Sequence, residues 1–237
     1  VHCAVPEDSA RMEGIPPGDR LGRGDREEHV SLLENGLEWR LKPGKGQKTG
    51  FYTDQRDNRR RIRSYATGKR VLDCYTYTGG FALNAASAGA SEVVAVDSSG
   101  PNISVAKGTA ELNGLEVEFH HEDAIRYLKA SDDPFDVVVI DPPKLARRRS
   151  VLDQAYAKYR AINAAALRRV APDGILISCS CSGLVDTPMF LRMLTDSAHL
   201  AGRRLTVLEI QSTGPDHPTP AAFFEGRYLT VVFARIG

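Results

Sequence analysis

From Lys69 to the C-terminus, short apolar runs alternate with stretches whose apolar positions recur about every 3.6 residues. The strand-like runs are "RVLDCYTY", "SEVVAVDSS", "VEFHHED", "FDVVVIDPP", "GILISCSCS", "RRLTVLEIQ" and "RYLTVVFARI". Between them lie helix-like segments: "GGFALNAASAG" closed by Gly89, "PNISVAKGTAELNG" opened by Pro101 and stopped at Asn113-Gly114, "AIRYLKA", "LDQAYAKYRAINAAALRRVAP" and "DTPMFLRMLTDSAHLAG". The run in "FDVVVIDPP" is unbroken, as in a strand buried on both faces. Strand and helix in strict alternation predict an α/β fold with a doubly wound sheet and helices on both faces. The last two strands have no helix between them, which predicts one antiparallel edge strand in an otherwise parallel sheet of seven.

Upstream the pattern changes. Residues 1–30 are rich in Pro, Gly and charge and read as a linker. "HVSLLENGLEWRLKP" alternates apolar and polar residues around Asn35-Gly36, which predicts a small β-hairpin. The organisation expected is thus a linker over 1–30, a hairpin region over 31–55 and the α/β domain over 56–237.

Composition narrows the class without choosing a function. Hydrophobic content of 42% and charged content of 26% are those of a globular protein. No apolar run approaches the roughly 20 residues that cross a bilayer, so no membrane partner is expected. Four cysteines, irregularly spaced, do not make a disulfide framework, and a reducing, cytoplasmic setting follows. The net charge of +1 carries no global nucleic-acid signal. Two local clusters, "RDNRRRIR" and "KLARRR", are either solvated surface or phosphate contacts, with Arg59, Arg60, Lys144 and Arg147 the candidates and Arg59 to Arg61 expected to be exposed.

In a doubly wound sheet, ligands bind at the C-terminal strand ends. Asp73, Asp97, Asp123, Asp141 and Cys181 all fall there. An aspartate at such a position is also a common turn or helix cap, but successive strand ends carrying one each argue for a site. In the turn after the first strand, Gly79 and Gly80 allow close backbone approach, while Tyr75 and Tyr77 stand where a dinucleotide site carries its early glycines. A pyrophosphate suits this turn poorly, whereas S-adenosylmethionine has no phosphate. Asp73 is placed for its charged methionine end, Asp97 for the ribose hydroxyls and Asp123 for the adenine amino group.

"DPPK" follows the fourth strand, and "SCSCSG" follows the fifth. The prolines stiffen the backbone where a base would enter. Cys179 and Cys181 share one strand face. Too few ligands are at hand for a metal, and a disulfide between residues i and i+2 on a strand is geometrically poor. What remains is packing or a nucleophile. Carbon 5 of cytosine cannot accept a methyl group directly; a thiolate adding to carbon 6 makes it nucleophilic, and a carboxylate near ring nitrogen 3, a role for Asp141, stabilises the adduct. Nitrogen methylation of guanine or adenine in RNA, which "DPPK" also suits, is the alternative and needs no cysteine.

"GQKTGFYTDQRDNR", "CYTYTGGFAL", "DPPK", "YRAINAAAL", "SCSCSGL" and "DHPTP…FFEGRYL", in this order and spacing, resemble the bacterial 23S ribosomal RNA cytosine-C5 methyltransferases, within the Rossmann-like class I S-adenosylmethionine-dependent methyltransferases. The resemblance implies S-adenosyl-L-methionine as cofactor, large-subunit ribosomal RNA as partner and Cys181 as nucleophile, with Cys179 left as packing. It also implies cofactor contacts in the "GQKTGFY" region, at Lys48, Thr49 and Phe51, and at Asp73, Tyr75, Gly79, Gly80, Asp97, Asp123 and Asp141. An RNA-binding PUA domain precedes the hairpin region in that family; this sequence, which starts without Met, is expected to lack it. Whether the chain forms a homodimer is left open.

Overall fold

A computed structural model describes residues 2–5, 11, 18–21, 30–41, 51–130, 133–146, 148–223 and 226–237. The chain divides into two compact units, Val1–Thr53 and Asp54–Gly237.

In the smaller unit, β1 (His2–Val5) and β2 (Gly18–Leu21) pair antiparallel, within the segment whose composition reads as a linker. Backbone pairing of strands this short leaves no alternation to read. The hairpin forms as the Asn35-Gly36 signal predicts: β3 (Val30–Glu34) pairs with β4 (Leu37–Leu41). Asn35 and Gly36 both have positive φ (54° and 80°), the conformation whose twist matches that of the flanking strands. Along β4 the residues alternate buried and exposed, and Trp39 meets Phe51 with ring centroids 4.9 Å apart.

The larger unit is a seven-stranded sheet built from β5 (Arg70–Cys74), β6 (Glu92–Asp97), β7 (Glu118–His121), β8 (Phe135–Ile140), β9 (Val170–Ser180), β10 (Leu205–Gln211) and β11 (Thr230–Ile236). Their order across the sheet is β10-β11-β9-β8-β5-β6-β7. The expected antiparallel reversal is present. The strand that reverses is β11, which inserts between β9 and the outermost β10 and runs against both.

Helices α1 (Arg56–Ala66), α2 (Gly80–Ser87), α3 (Gly100–Leu112), α4 (Ala124–Ala130), α5 (Leu152–Arg169) and α6 (Thr187–Ala201) flank the sheet. One core packs side chains of α4, α5 and α6, among them Leu128, Tyr159, Ile162 and Phe190, against Leu72, Val138 and Leu176. The opposite core packs α1 and α2, through Ile62, Ala66, Phe81 and Ala82, against Val71, Val139, Ile177 and Phe233. Helix starts follow local chemistry: Asp186 accepts the Met189 amide at the head of α6, and Ser99 the Asn102 amide at the head of α3. α1 has no counterpart in the sequence reading, because its buried face carries Asn58 and Arg59 beside Ile62 and Ala66 and shows no clean apolar stripe.

From β5 the chain winds outward through β6 and β7, then returns to lay β8 and β9 on the other side of β5. The topological switch therefore lies between β5 and β8, and it positions the site.

Candidate functional site

Asp73 and Cys74 close β5, Asp97 closes β6, Asp141 follows β8, and Cys181 follows β9. β5 and β8 are hydrogen-bonded neighbours, as are β8 and β9, so Asp73, Asp141 and Cys181 stand on three adjacent strand ends.

The turn after β5 shows what it can hold. Tyr75 and Tyr77 have φ of 64° and 53°, the left-handed region that side chains rarely enter. A glycine-like backbone path is thus drawn with tyrosines, at a cost of about 1–3 kcal/mol each. The turn's amides are largely spent inside the protein. Thr76 donates to the Val96 carbonyl (3.0 Å), Tyr77 to Asp97 (2.9 Å), Gly79 to the Thr76 carbonyl (2.9 Å) and Ala82 to Asp73 (3.0 Å). A pyrophosphate needs such amides free, so the turn suits a ligand without phosphate.

Asp73 is fully buried. Its Oδ2 accepts from the Thr76 hydroxyl (2.6 Å) and the Ala82 amide, while Oδ1 has no hydrogen-bond partner among the described residues. Burial pushes this carboxyl up to about 7, against the pull of those two donors. An orphaned buried oxygen on a clamped carboxylate is a fitting acceptor for a ligand ammonium group. Gly79, at φ 87°, is hemmed by Leu83 and Ala106, and a side chain at Gly80 would run into the stem of Arg59 (2.7 Å).

Asp97 is partly exposed. It accepts the Tyr77 and Ser99 amides (2.9 and 2.8 Å), so it braces the turn and the head of α3 while standing at the sheet end. Asp123 is exposed and caps α4 by accepting the Arg126 amide (2.9 Å). Both have the capping role that an aspartate at a strand end commonly has; each carboxylate also retains acceptor capacity.

"SCSCSG" resolves by strand parity. Ser178, Ser180 and Ser182 face α5. Ser178 donates to Asn163 Oδ1 (2.7 Å), Ser180 to the Tyr159 hydroxyl (3.3 Å), and Ser182 shares a hydrogen bond with the same hydroxyl (3.2 Å). Tyr159 and Asn163 are one helical turn apart on α5, which accounts for those two positions of "YRAINAAAL". The cysteines take the other face. Cys179 is completely buried beside Asp141 and Gln55, and burial raises its thiol well above the ordinary value. Cys181, one residue past the strand, is partly exposed.

Asp141 is partly accessible, and burial is the main cause that pushes its carboxyl up to about 7. Its Oδ2 accepts from Gln55 Nε2 (3.0 Å), and the Cys179 thiol is close enough to act on the same carboxyl. Behind Gln55, Asn58 Nδ2 donates to Gln55 Oε1 (2.7 Å) and to the Ser212 carbonyl (3.1 Å). Close by, Asp54 accepts from the Tyr228 hydroxyl (2.6 Å), which ties "TDQ" to "GRYL".

The basic segment divides. Arg60 is exposed, and so is Lys144. Arg59 is not: it is 4% exposed, with its stem against Gly80, so the expectation of an exposed Arg59 is corrected. The helical period turns Arg59 inward with Asn58, Ile62 and Ala66, which charge counting alone does not detect. Arg61 is exposed but engaged by Glu209, and Arg56 pairs with Asp57 and Asp216 (3.1 and 3.0 Å). Phe51 packs on Trp39 within the smaller unit. Lys48, Thr49 and Arg147 lie outside the described residues. Gln55, Asn58, Tyr159 and Asn163 were not singled out individually by sequence; their signal was membership of "TDQRDN" and "YRAIN". Among the described residues no group of three or more His, Cys, Asp or Glu is arranged to hold a metal ion.

Comparisons with known proteins bear on the family and the fold. A family model described as S-adenosylmethionine-dependent methyltransferase matches residues 19–224. The protein named ribosomal RNA large subunit methyltransferase I from Aeromonas salmonicida is 42% identical over 244 residues, covering 98% of this chain and 62% of its own length. The protein of the same name from Shewanella denitrificans is 39% identical, covering 99% and 62%. The chain thus spans less than two thirds of these relatives. Among solved structures, SMU.776 complexed with SAH superposes with a TM-score of 0.82 at 23% identity, covering 91% of this chain and 58% of that one. Trm5b from Pyrococcus abyssi reaches 0.68 at 18%, covering 91% and 58%. At these identities the structural likeness concerns the fold.

Proposed function

The chain belongs to the S-adenosylmethionine-dependent methyltransferase family, and from that premise we propose that it methylates carbon 5 of a cytosine in large-subunit ribosomal RNA through a covalent adduct on Cys181. Support for an RNA target comes from the relatives' names. Support for the chemistry comes above all from one observation: of the two cysteines at the end of β9, Cys179 is sealed in the core and Cys181 is partly exposed.

Each residue then has a task. Asp73 presents its orphaned Oδ1 to the cofactor's ammonium group, and Asp97 and Asp123 flank the nucleoside half. When bound, the cofactor supplies an electrophilic methyl group on a sulfonium sulfur. Cys181 adds as a thiolate to carbon 6 of the cytosine. Asp141, whose carboxyl titrates near 7, gives a proton to ring nitrogen 3 and so takes up the charge that the adduct pushes into the ring. Carbon 5, now part of an enamine, would take the methyl group as the methyl–sulfur bond breaks and a neutral thioether leaves. Loss of the carbon 5 proton to a base expels the thiolate, and the proton on nitrogen 3 returns to Asp141. Arg60 and Lys144 meet the RNA backbone as exposed cations.

The test is methyl transfer to ribosomal RNA, with the product nucleoside identified by mass spectrometry. Wild type should yield 5-methylcytidine, Cys181→Ser should reduce transfer to background, and Cys179→Ser should retain it. A nitrogen-methylated purine product, or full activity in Cys181→Ser, would refute the reading.

A further inference from the structure

The arrangement behind Asp141 decides which of its two oxygens carries the proton. The chain of donors starts at a group with no choice: the Ser212 backbone carbonyl can only accept. Asn58 therefore turns its NH2 toward it (3.1 Å), and the same NH2 donates to Gln55 Oε1 (2.7 Å). With its oxygen committed, Gln55 has only its NH2 to offer Asp141, and Nε2 donates to Oδ2 at 3.0 Å. The amide orientation of both residues is thus dictated by a main-chain acceptor. Gln55 and Asn58 are buried, so water does not compete for these bonds.

We infer that Gln55, held by Asn58, is a positioning residue that keeps Oδ2 of Asp141 an acceptor and directs the carboxyl proton to Oδ1. This rests on the proposed role of Asp141 as the group that protonates the substrate ring. An oxygen already receiving an N–H cannot also present a proton along that direction, so the acid has one donating oxygen in place of two. A carboxyl free to rotate would offer the ring an acceptor as readily as a donor, and at nitrogen 3 only the donor is useful. The other charged or titratable groups that act on Asp141 are Asp54, Arg59, Cys179, Asp73 and Tyr159. Of these, the Arg59 cation and the Cys179 thiol favour the ionised carboxyl.

Two variants separate positioning from mere packing. Gln55→Glu keeps the shape and still accepts from Asn58, but it replaces the donor facing Oδ2 with an acceptor. Asn58→Leu frees Gln55 to turn. The titration of Asp141 is followed by carbon-13 NMR of its carboxyl, assigned as the signal missing in Asp141→Asn. Loss of the donor removes a contact that favours ionisation, so the midpoint should rise by about one pH unit in Gln55→Glu and by less in Asn58→Leu. In methyl-transfer assays the alkaline limb of the rate profile, which marks loss of the Asp141 proton, should move upward in step, with lower kcat and little change in KM. An unmoved carboxyl midpoint in both folded variants overturns the inference. So does a midpoint that moves while the activity profile falls uniformly at every pH. Failure of the function reading itself would show differently: Asp141→Asn would then transfer methyl groups at the wild-type rate.

Discussion

Asp73→Asn should stabilise the cofactor-free protein at alkaline pH while damaging cofactor binding. Asp73 is fully buried and titrates near 7 in the folded protein, against an ordinary value of 3.8. A group whose folded value is raised contributes stability that is complete below its unfolded value and lost as pH rises through its folded value. Between pH 3.8 and 7 that loss amounts to about 4 kcal/mol. Asparagine avoids it. Its oxygen can still accept from Thr76 and Ala82, and its NH2 takes the place of the orphaned Oδ1, at a cost of about 1–3 kcal/mol for an unsatisfied donor. The variant should therefore exceed wild type by about 1–3 kcal/mol at pH 8. Between pH 5 and 8 wild type should lose about 3 kcal/mol relative to the variant. Asp141 titrates in the same range and is coupled to Asp73 by charge repulsion, so it cancels only in part from the difference. Urea denaturation at pH 5, 6.5 and 8 measures this directly. Calorimetry at pH 8 should show affinity for S-adenosylmethionine reduced about 10- to 100-fold, the worth of a charge-assisted hydrogen bond. Parallel stability curves for the two proteins would refute the burial argument, and undiminished cofactor affinity would refute the assignment of Oδ1 to the ammonium group.

Two further outcomes follow from the site. Replacing Arg60 and Lys144 together by glutamine should weaken RNA binding and reduce the slope of log affinity against log salt by about 1–2; an unchanged slope would exclude both from the phosphate contacts. Gly80→Ala puts a methyl group where the Arg59 Cδ lies at 2.7 Å, so it should destabilise the fold by about 1–3 kcal/mol and lower cofactor affinity, read by thermal melts with and without S-adenosylmethionine.

Periodicity and turn chemistry are properties of neighbouring residues, and these the sequence determined by itself. The alternating apolar runs specified the strands of the sheet, Asn35-Gly36 specified the hairpin, and the succession of strand-end aspartates pointed to one end of the sheet. Strand parity also put Cys179 and Cys181 on one face, but parity is blind to depth. Only the tertiary structure separates them, because β9 ends at Ser180 and leaves Cys181 partly exposed while Cys179 stays buried under α1 and α2. Helix α1 was invisible for a related reason. Its inner face carries Asn58 and Arg59, polar groups that are buried at acceptable cost because neighbouring Gln55 and, distant in sequence, Ser212 and the Gly80 turn come to meet them. In the chain from Ser212 to Asp141 the Asn58–Gln55 link is local, but the two end links join residues whose partnership exists only once the ends of β10, α1 and β8 are brought together.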